Sequence, residues 1–144
     1  MLLTCSKCIS DIPFAHRQPK HEGHCALIHG HNWSFTFTFQ AAALDECGFV
    51  VDFGKLKWLR KFLEDTFDHA LVLSRTDPQL GALAFLDTQK IARIVLVDDG
   101  SCEGLLTEFY PLLNAVVQKQ TEGRVWISEL TLHEDAKNFA TIRP

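Results

Sequence analysis

Two histidines that flank a glycine are the sharpest chemical signal in this sequence. Side chains at positions i and i+2 of a strand point to the same side and lie roughly 7 Å apart, so His29 and His31 can converge on one metal ion. Gly30 allows a close approach of the backbone at this point. Catalytic zinc sites commonly use three protein ligands and keep one position open. We expect His16, at the end of the preceding predicted strand, to be the third zinc ligand.

The residues that follow this motif place its histidines on the covered face of a sheet. Every second residue from 33 to 39 is aromatic and the intervening residues are polar, which predicts a strand over 31–40. His29 and His31 share the odd numbering of these aromatic residues and therefore continue their face. Polar side chains on a core-side face need partners, and one metal ion can satisfy both histidines. An HxH pair that binds no metal is the alternative.

The loop between the two predicted strands contains two further histidines. We expect His21 and His24 to be solvent-exposed. A closed structural zinc site made of His24, Cys25, His29 and His31 is conceivable. It is disfavoured because His24 and Cys25 are adjacent, and adjacent side chains do not readily bind the same ion.

A carboxylate ends the last long apolar stripe of the chain. Trp126, Leu130, Leu132 and Glu134 share even numbering, which predicts that they lie on one face of a strand. A carboxylate in that position needs hydrogen-bond donors or loses its charge. A ligand with paired N–H groups would satisfy Glu134, and contact with water is the alternative.

An Asp-His pair follows the first predicted helix directly. Histidine is the side chain most readily tuned for proton transfer, so Asp68-His69 is a candidate catalytic pair. An Asp-His pair at the end of a helix is more often a cap or a surface pair. Spacing alone leaves its role open.

The composition favours one globular domain that spans residues 1–144. Hydrophobic residues make up 47% of the chain, including 11 Phe, which is enough for a substantial core. The net charge of −4 provides no electrostatic case for binding nucleic acid. No apolar run is long enough for a secretion signal or a membrane span. We therefore expect a cytoplasmic protein with neither a nucleic-acid nor a membrane partner.

The cysteines are expected to be free thiols. Their number is odd and the sequence shows no secretion signal. Cys5 and Cys8 form a single CxxC without the second pair that a structural zinc site would use, so we interpret them as ordinary strand residues. The five residues are Cys5, Cys8, Cys25, Cys47 and Cys102.

The remaining periodicities predict an α+β domain. Paired strands at both ends of the chain and helices between them favour an antiparallel sheet with helices on one face. Pro111 lies within the last predicted helix and is expected to bend it or interrupt its hydrogen bonds. The predicted strands cover about 2–14, 31–40, 91–97, 124–133 and 138–142, and the predicted helices cover about 53–67, a short segment at 77–86, and 105–117. The segment 75–89 is longer than a minimal connection.

Taken together, these motifs resemble the 6-pyruvoyltetrahydropterin synthase / 6-carboxytetrahydropterin synthase family. The resemblance runs from about Phe14 to the C-terminus, and the joint order and spacing of the blocks are specific. Four positions depart from the family pattern: Trp33 replaces a more usual Tyr, Cys102 a frequent Thr, Gly104 a common Asn, and Asp135 a common Thr. The matching blocks are Phe14-Ala15-His16-Arg17, Cys25 to Asn32, Gly48 to Phe53, Asp68-His69, Glu103 and Glu134.

The resemblance implies a tunnelling fold, with a four-stranded antiparallel sheet and two main helices on one face. It also implies a symmetric hexamer built from trimers, with active sites between subunits and the Asp68-His69 pair supplied by a neighbour. The cofactor would be Zn²⁺ on His16, His29 and His31. The implied catalytic residues are Cys25, Asp68, His69 and Glu134, and the implied substrate-binding residues are Glu134 and Glu103.

The implied substrate is 7,8-dihydroneopterin triphosphate. Three residues separate Cys25 from the His-Gly-His motif, and this spacing resembles the enzymes of the 7-deazaguanine (queuosine) route. Those enzymes form 6-carboxy-5,6,7,8-tetrahydropterin and release acetaldehyde and triphosphate. Arg17 and Lys20 are candidates for neutralising the triphosphate. The alternatives are a 6-pyruvoyltetrahydropterin synthase, a non-catalytic zinc or pterin-binding module, and a metal-dependent oxygenase with two histidines and a carboxylate.

Overall fold

The computed structural model describes residues 2–144 and contains one mixed sheet with three α-helices. The strands are β1 (Thr4–His16), β2 (His29–Ala41), β3 (Ala70–Ser74), β4 (Arg93–Val97), β5 (Val125–His133) and β6 (Phe139–Ile142). The helices are α1 (Lys57–Phe67), α2 (Leu80–Thr88) and α3 (Cys102–Gln120). None of the helices in the described range combines the length and the hydropathy that a bilayer span requires.

The sheet has six strands in the order β4-β3-β1-β2-β5-β6, so the expectation of four strands was wrong. Strands β1, β2, β5 and β6 do form an antiparallel unit, as expected. Strands β3 and β4 extend it in parallel, and β3 joins β1 beside Ala15 and His16. Strand β3 was not predicted, because all five of its residues are buried and its sequence therefore shows no alternation of polar and apolar residues.

The core lies between the aromatic face of the sheet and helices α1 and α3. Trp33 is fully buried and stacks on Phe14 with ring centroids 4.3 Å apart. Phe67, the last residue of α1, packs on Phe14 at 5.1 Å and on Phe109 of α3 at the same distance. The predicted odd-numbered face of β2 is confirmed, because Trp33, Phe35, Phe37 and Phe39 are all buried.

A β-bulge in β1 determines which face His16 occupies. The pairing with β2 shifts between Ile9 and Ile12, so the buried residues change from odd to even numbering. Asp11 has a left-handed backbone with φ of 62°, and its carboxylate accepts a hydrogen bond from Asn32 Nδ2 at 2.9 Å. Because of this bulge His16 lies on the same side of the sheet as the aromatic core.

A second bulge, in β5, makes one of the predicted face assignments wrong, that of Trp126. Glu129 pairs with Thr38 and Ile127 with Phe39, which leaves Ser128 as the extra residue. Ile127 is consequently buried and Trp126 is only partly buried, so Trp126 does not share a face with Leu130 and Leu132. Beyond the bulge, Leu130 and Leu132 share a buried face, as predicted.

Several predicted element bounds also change. Asp77 accepts a hydrogen bond from Gln79 N, and α2 begins only at Leu80, within the helical segment predicted at 77–86. The strand predicted at 91–97 is β4, a partly exposed strand at the sheet edge. Helix α3 continues through Pro111, although this residue has no N–H to donate.

The cysteines agree with the sequence interpretation. All five are free thiols. Cys5 and Cys8 lie within β1, where a separation of three residues places their side chains on opposite faces. The CxxC spacing therefore does not bring the two thiols together.

Asp11→Val should destabilise the protein, because a β-branched residue is strongly disfavoured in the left-handed backbone conformation. We expect the free energy of unfolding in urea to fall by about 1–2 kcal/mol relative to Asp11→Asn. Asparagine is the matched control, because it tolerates this conformation and retains the side-chain oxygen. Equal stabilities for the two variants would contradict the role assigned to the bulge.

Candidate metal centre and active-site cavity

The pairing of β1 with β2 brings three histidines together, as the sequence predicts. His16 lies directly opposite His29, and His31 is opposite Phe14. The ring centroids are 4.6 Å apart for His16 and His29, 5.4 Å for His16 and His31, and 5.1 Å for His29 and His31. One nitrogen from each ring lies within 4.8 Å of the other two, so the three residues can share a metal ion.

Backbone carbonyls orient two of these rings. His16 Nδ1 lies 2.8 Å from the Gly100 carbonyl, and His29 Nδ1 lies 2.7 Å from the Leu27 carbonyl. A carbonyl only accepts hydrogen bonds, so each Nδ1 carries a proton, and in the neutral ring the free lone pair is then on Nε2. Metal-bound histidines are oriented in this way.

The remaining nitrogens fit a metal ion. The Nε2 atoms of His16 and His31 are buried and have no hydrogen-bond partner. Burial lowers the pKa of His16, and the nearby His29 and His31 lower it further, although the hydrogen bond to Gly100 opposes this change. A neutral imidazole with an unpartnered nitrogen is the form that binds a metal.

The rival zinc site is not supported among residues 2–144. The triad of His16, His29 and His31 is the group of potential ligands that the described chain brings together. His24 does not join the triad, and His21 and His24 are both exposed, as expected.

A cavity of about 230 Å³ opens beside this triad. Cys25 reaches it from a single 3₁₀ turn, His24–Ala26, which ends two residues before β2 begins. Glu134 follows the end of β5, and Glu103 lies in the first turn of α3. Most of the predicted site residues therefore line this one cavity. Its lining residues are His16, Gln18, His21, Cys25, His29, Ser101, Cys102, Glu103, Glu134, Asn138 and Phe139.

Cys102 was not predicted as a site residue, although it lines this cavity. It is buried, and its Sγ lies 3.9 Å from Glu134 Oε2. Burial, together with the negative charges of Glu134 and Glu103, raises the pKa of the Cys102 thiol to about 12. This thiol is protonated at neutral pH and donates to the Glu134 carboxylate. Its position next to Glu103, just before the helix predicted at 105–117, was the available sequence signal.

Asp68 and His69 lie outside this cavity in the same chain. His69 Nδ1 is 2.7 Å from Asp68 Oδ1, and the His69 side chain is 81% exposed. His69 lines a separate surface depression together with Lys90 and Arg93. A single chain therefore does not unite the Asp-His pair with Cys25.

Arg17 is already engaged in an ion pair. Its Nε lies 3.2 Å from Asp77 Oδ2, and the Asp77 side chain is fully buried. The expectation that Arg17 neutralises a triphosphate loses support, because Asp77 balances its charge. Lys20 lines a neighbouring cavity that also contains Asp98 and Asp99.

A model of the 6-pyruvoyl tetrahydropterin synthase family matches residues 6–144. The chain belongs to this family. The histidine triad, Cys25 and Glu134 all lie within the matched range.

Curated relatives carry the name 6-carboxy-5,6,7,8-tetrahydropterin synthase. The Rickettsia felis protein is 29% identical over 141 residues, which cover 94% of this chain and 99% of the relative. The Rickettsia bellii protein is 40% identical over 78 residues. That second match covers 52% of this chain and spans only 56% of the relative.

Solved structures share the fold. An uncharacterized protein from Wolinella succinogenes superposes with a TM-score of 0.87 at 19% identity, covering 99% of this chain and 98% of that one. The 6-pyruvoyl tetrahydropterin synthase of Caenorhabditis elegans superposes with a TM-score of 0.67 at 20% identity, covering 100% of this chain and 96% of that one.

His16→Ala should greatly weaken metal binding, because it removes one of three ligands. We expect a loss of affinity for Zn²⁺ at least as large as the roughly 10- to 100-fold that outer-shell changes cause. Competition with a chromophoric chelator measures this loss. His24→Ala, which removes an exposed histidine outside the triad, is the control and should bind Zn²⁺ like the unaltered protein. Equal affinity for both variants would refute the triad.

Proposed function

We propose that this chain is a zinc-dependent enzyme that converts 7,8-dihydroneopterin triphosphate to 6-carboxy-5,6,7,8-tetrahydropterin, with release of acetaldehyde and triphosphate. The observation that carries the proposal is the convergence of three imidazoles beside Cys25 in a cavity that Glu134 also lines. The name of the Rickettsia felis relative, which matches 94% of the chain, supports the choice of reaction.

His16, His29 and His31 would hold Zn²⁺ through one nitrogen each and leave a coordination position for the substrate. When bound, the ion polarises a substrate oxygen and makes the adjacent C–H group more acidic. The fully buried Trp33 lies beneath the triad, 4.9 Å from the His16 ring and 5.4 Å from the His31 ring, and excludes water from that side.

Cys25 is the proposed general base. It lines the same cavity as His16 and His29 and is half-buried. It would remove a proton from the substrate side chain as the thiolate, which is the reactive form of cysteine. The turn that carries it is held to the segment after β1 by a hydrogen bond from Gln18 N to the Cys25 carbonyl at 2.8 Å.

Glu134 is the proposed anchor for the pterin ring. Its carboxylate can accept two parallel N–H bonds from the amino group and ring nitrogen of a pterin. Asp135 shapes the following turn by accepting hydrogen bonds from the backbone N–H groups of Lys137 and Asn138. Glu103 lies on the same cavity wall as a second acceptor.

We further propose that the active site is completed by a second chain of a hexamer. The cavity of about 230 Å³ is smaller than the roughly 300–1,000 Å³ of common ligand sites. The Asp68-His69 pair is exposed and separate from Cys25 in one chain, so it is available to a neighbour. There it would relay protons to or from the substrate side chain.

The alternative reactions are less well supported. Formation of 6-pyruvoyltetrahydropterin would use the same residues, and the three-residue spacing between Cys25 and His29 disfavours it. An oxygenase of the two-histidine, one-carboxylate type would need an acidic ligand, whereas the group within residues 2–144 consists of three histidines.

Incubation of the zinc-loaded protein with 7,8-dihydroneopterin triphosphate should yield acetaldehyde and a 6-carboxypterin. Cys25→Ala should lower kcat by about 10²- to 10⁴-fold, the range of general acid–base catalysis, while retaining zinc. Cys47→Ala, at an exposed cysteine outside the cavity, is the matched control. A pyruvoyl product would select the alternative reaction, and an inactive protein with bound zinc would favour a binding module.

Subunit sharing is tested by mixing two inactive variants. Cys25→Ala and His69→Ala should each lack activity, and oligomers reassembled from both should regain part of it, because some sites then receive an intact residue from each chain. Sedimentation must show mixed oligomers in the same sample. Co-assembly without recovered activity, or a monomeric wild type, would contradict the shared site.

A further inference from the structure

The loop between β4 and α3 contacts two separate parts of the proposed site. The Gly100 carbonyl accepts the hydrogen bond from His16 Nδ1 at 2.8 Å. Asp99 Oδ1 accepts a hydrogen bond from Gln18 Nε2 at 2.6 Å, and the backbone N–H of Gln18 donates to the Cys25 carbonyl. One short loop is thus bonded to a metal ligand and, through one residue, to the turn of the proposed base.

The loop is itself attached to the first turn of α3. Asp99 Oδ1 also accepts from Ser101 N at 2.8 Å, and Ser101 Oγ accepts from Gly104 N at 3.0 Å. The second bond caps the helix. Burial opposes ionisation of Asp99, but the hydrogen bonds from Ser101 and Gln18 together lower its pKa. The loop is therefore held by an ionised carboxylate and a helix cap.

Gly104 is the residue that allows this arrangement. A Cβ atom at position 104 would lie 2.4 Å from Asp99 Cβ and 2.5 Å from the Asp99 carbonyl oxygen. Such distances require something to shift, and the second atom belongs to the backbone. A larger residue at 104 would push Asp99, and with it the adjacent Gly100 carbonyl, away from α3.

We infer that the contact between Asp99 and Gly104 positions the metal centre. By seating the loop on α3, it places the Gly100 carbonyl that orients His16 and the carboxylate that holds Gln18 beside Cys25. Asp99 and Gly104 are positioning residues, because neither is a proposed ligand of the metal. The inference rests on the metal site of the proposed function and adds a determinant of its geometry.

Gly104→Ala should weaken Zn²⁺ binding by roughly 10- to 100-fold, as expected when the partner of a metal-bound histidine is displaced. The visible spectrum of the Co²⁺-substituted protein should also change, because it reports ligand geometry. Gly81→Ala is the matched control: position 81 lies in α2 and has nothing within 4 Å of a new Cβ. Alanine favours a helix more than glycine does at both positions. A loss of zinc affinity in Gly104→Ala but not in Gly81→Ala would therefore be due to the contact with Asp99.

Wild-type affinity and an unchanged cobalt spectrum in folded Gly104→Ala would overturn the inference. If that variant does not fold, Asp99→Ala serves instead, because it removes the acceptor for Gln18 and Ser101 without adding an atom. It should lower zinc affinity several-fold, and wild-type affinity would refute the positioning role. These measurements need no substrate. Failure of the unaltered protein to bind zinc would refute the proposed function, whereas equal binding by all variants would refute only this inference.

Discussion

His16 of β1 lies directly opposite His29 of β2, and the proposed site depends on that antiparallel pairing. Residues opposite each other share a face of the sheet, so the pairing gathers the imidazoles on the side that α1 and α3 cover. Trp33 forms the layer beneath them, and its own Nε1 donates to the Phe14 carbonyl at 3.0 Å. The indole is therefore satisfied without the histidines, whose Nε2 atoms remain available to an ion.

Burial explains why this face of the sheet is suited to a cation rather than to polar packing alone. Leaving a buried nitrogen without a partner costs about 1–3 kcal/mol, and both His16 Nε2 and His31 Nε2 are in that position. A shared cation would satisfy both atoms at once. The carbonyls of Gly100 and Leu27 accept hydrogen bonds from His16 and His29, so backbone atoms of two loops orient two of the three rings.

The departures from the family pattern have local physical reasons. Gly104 avoids a collision with Asp99, and the Cys102 thiol donates to the Glu134 carboxylate. Asp135 closes the turn to Asn138 with its side chain. The histidines, Cys25 and Glu134 line or flank the cavity, so the proposed site is present despite these departures.

The local sequence identified the candidate metal ligands and much of the sheet. The alternation through Trp33 and Phe39 identified β2 and its buried face, because side-chain direction in a strand has a period of two. The spacing of His29 and His31 identified two candidate metal ligands for the same reason. The family of the chain was also recognisable from short motifs in order.

Tertiary structure decided what local periodicity cannot record. A bulge at Asp11 turned His16 toward the core, and a bulge at Ser128 placed Ile127 there instead of Trp126. The strand β3 exists because β1 and β4 pair with its backbone on either side, which no pattern within Ala70–Ser74 reveals. The contact between Asp99 and Gly104 joins a loop to a helix at atomic distance. Hydrogen-bond register and steric fit between segments are properties of the assembled chain, and so only the folded structure determines them.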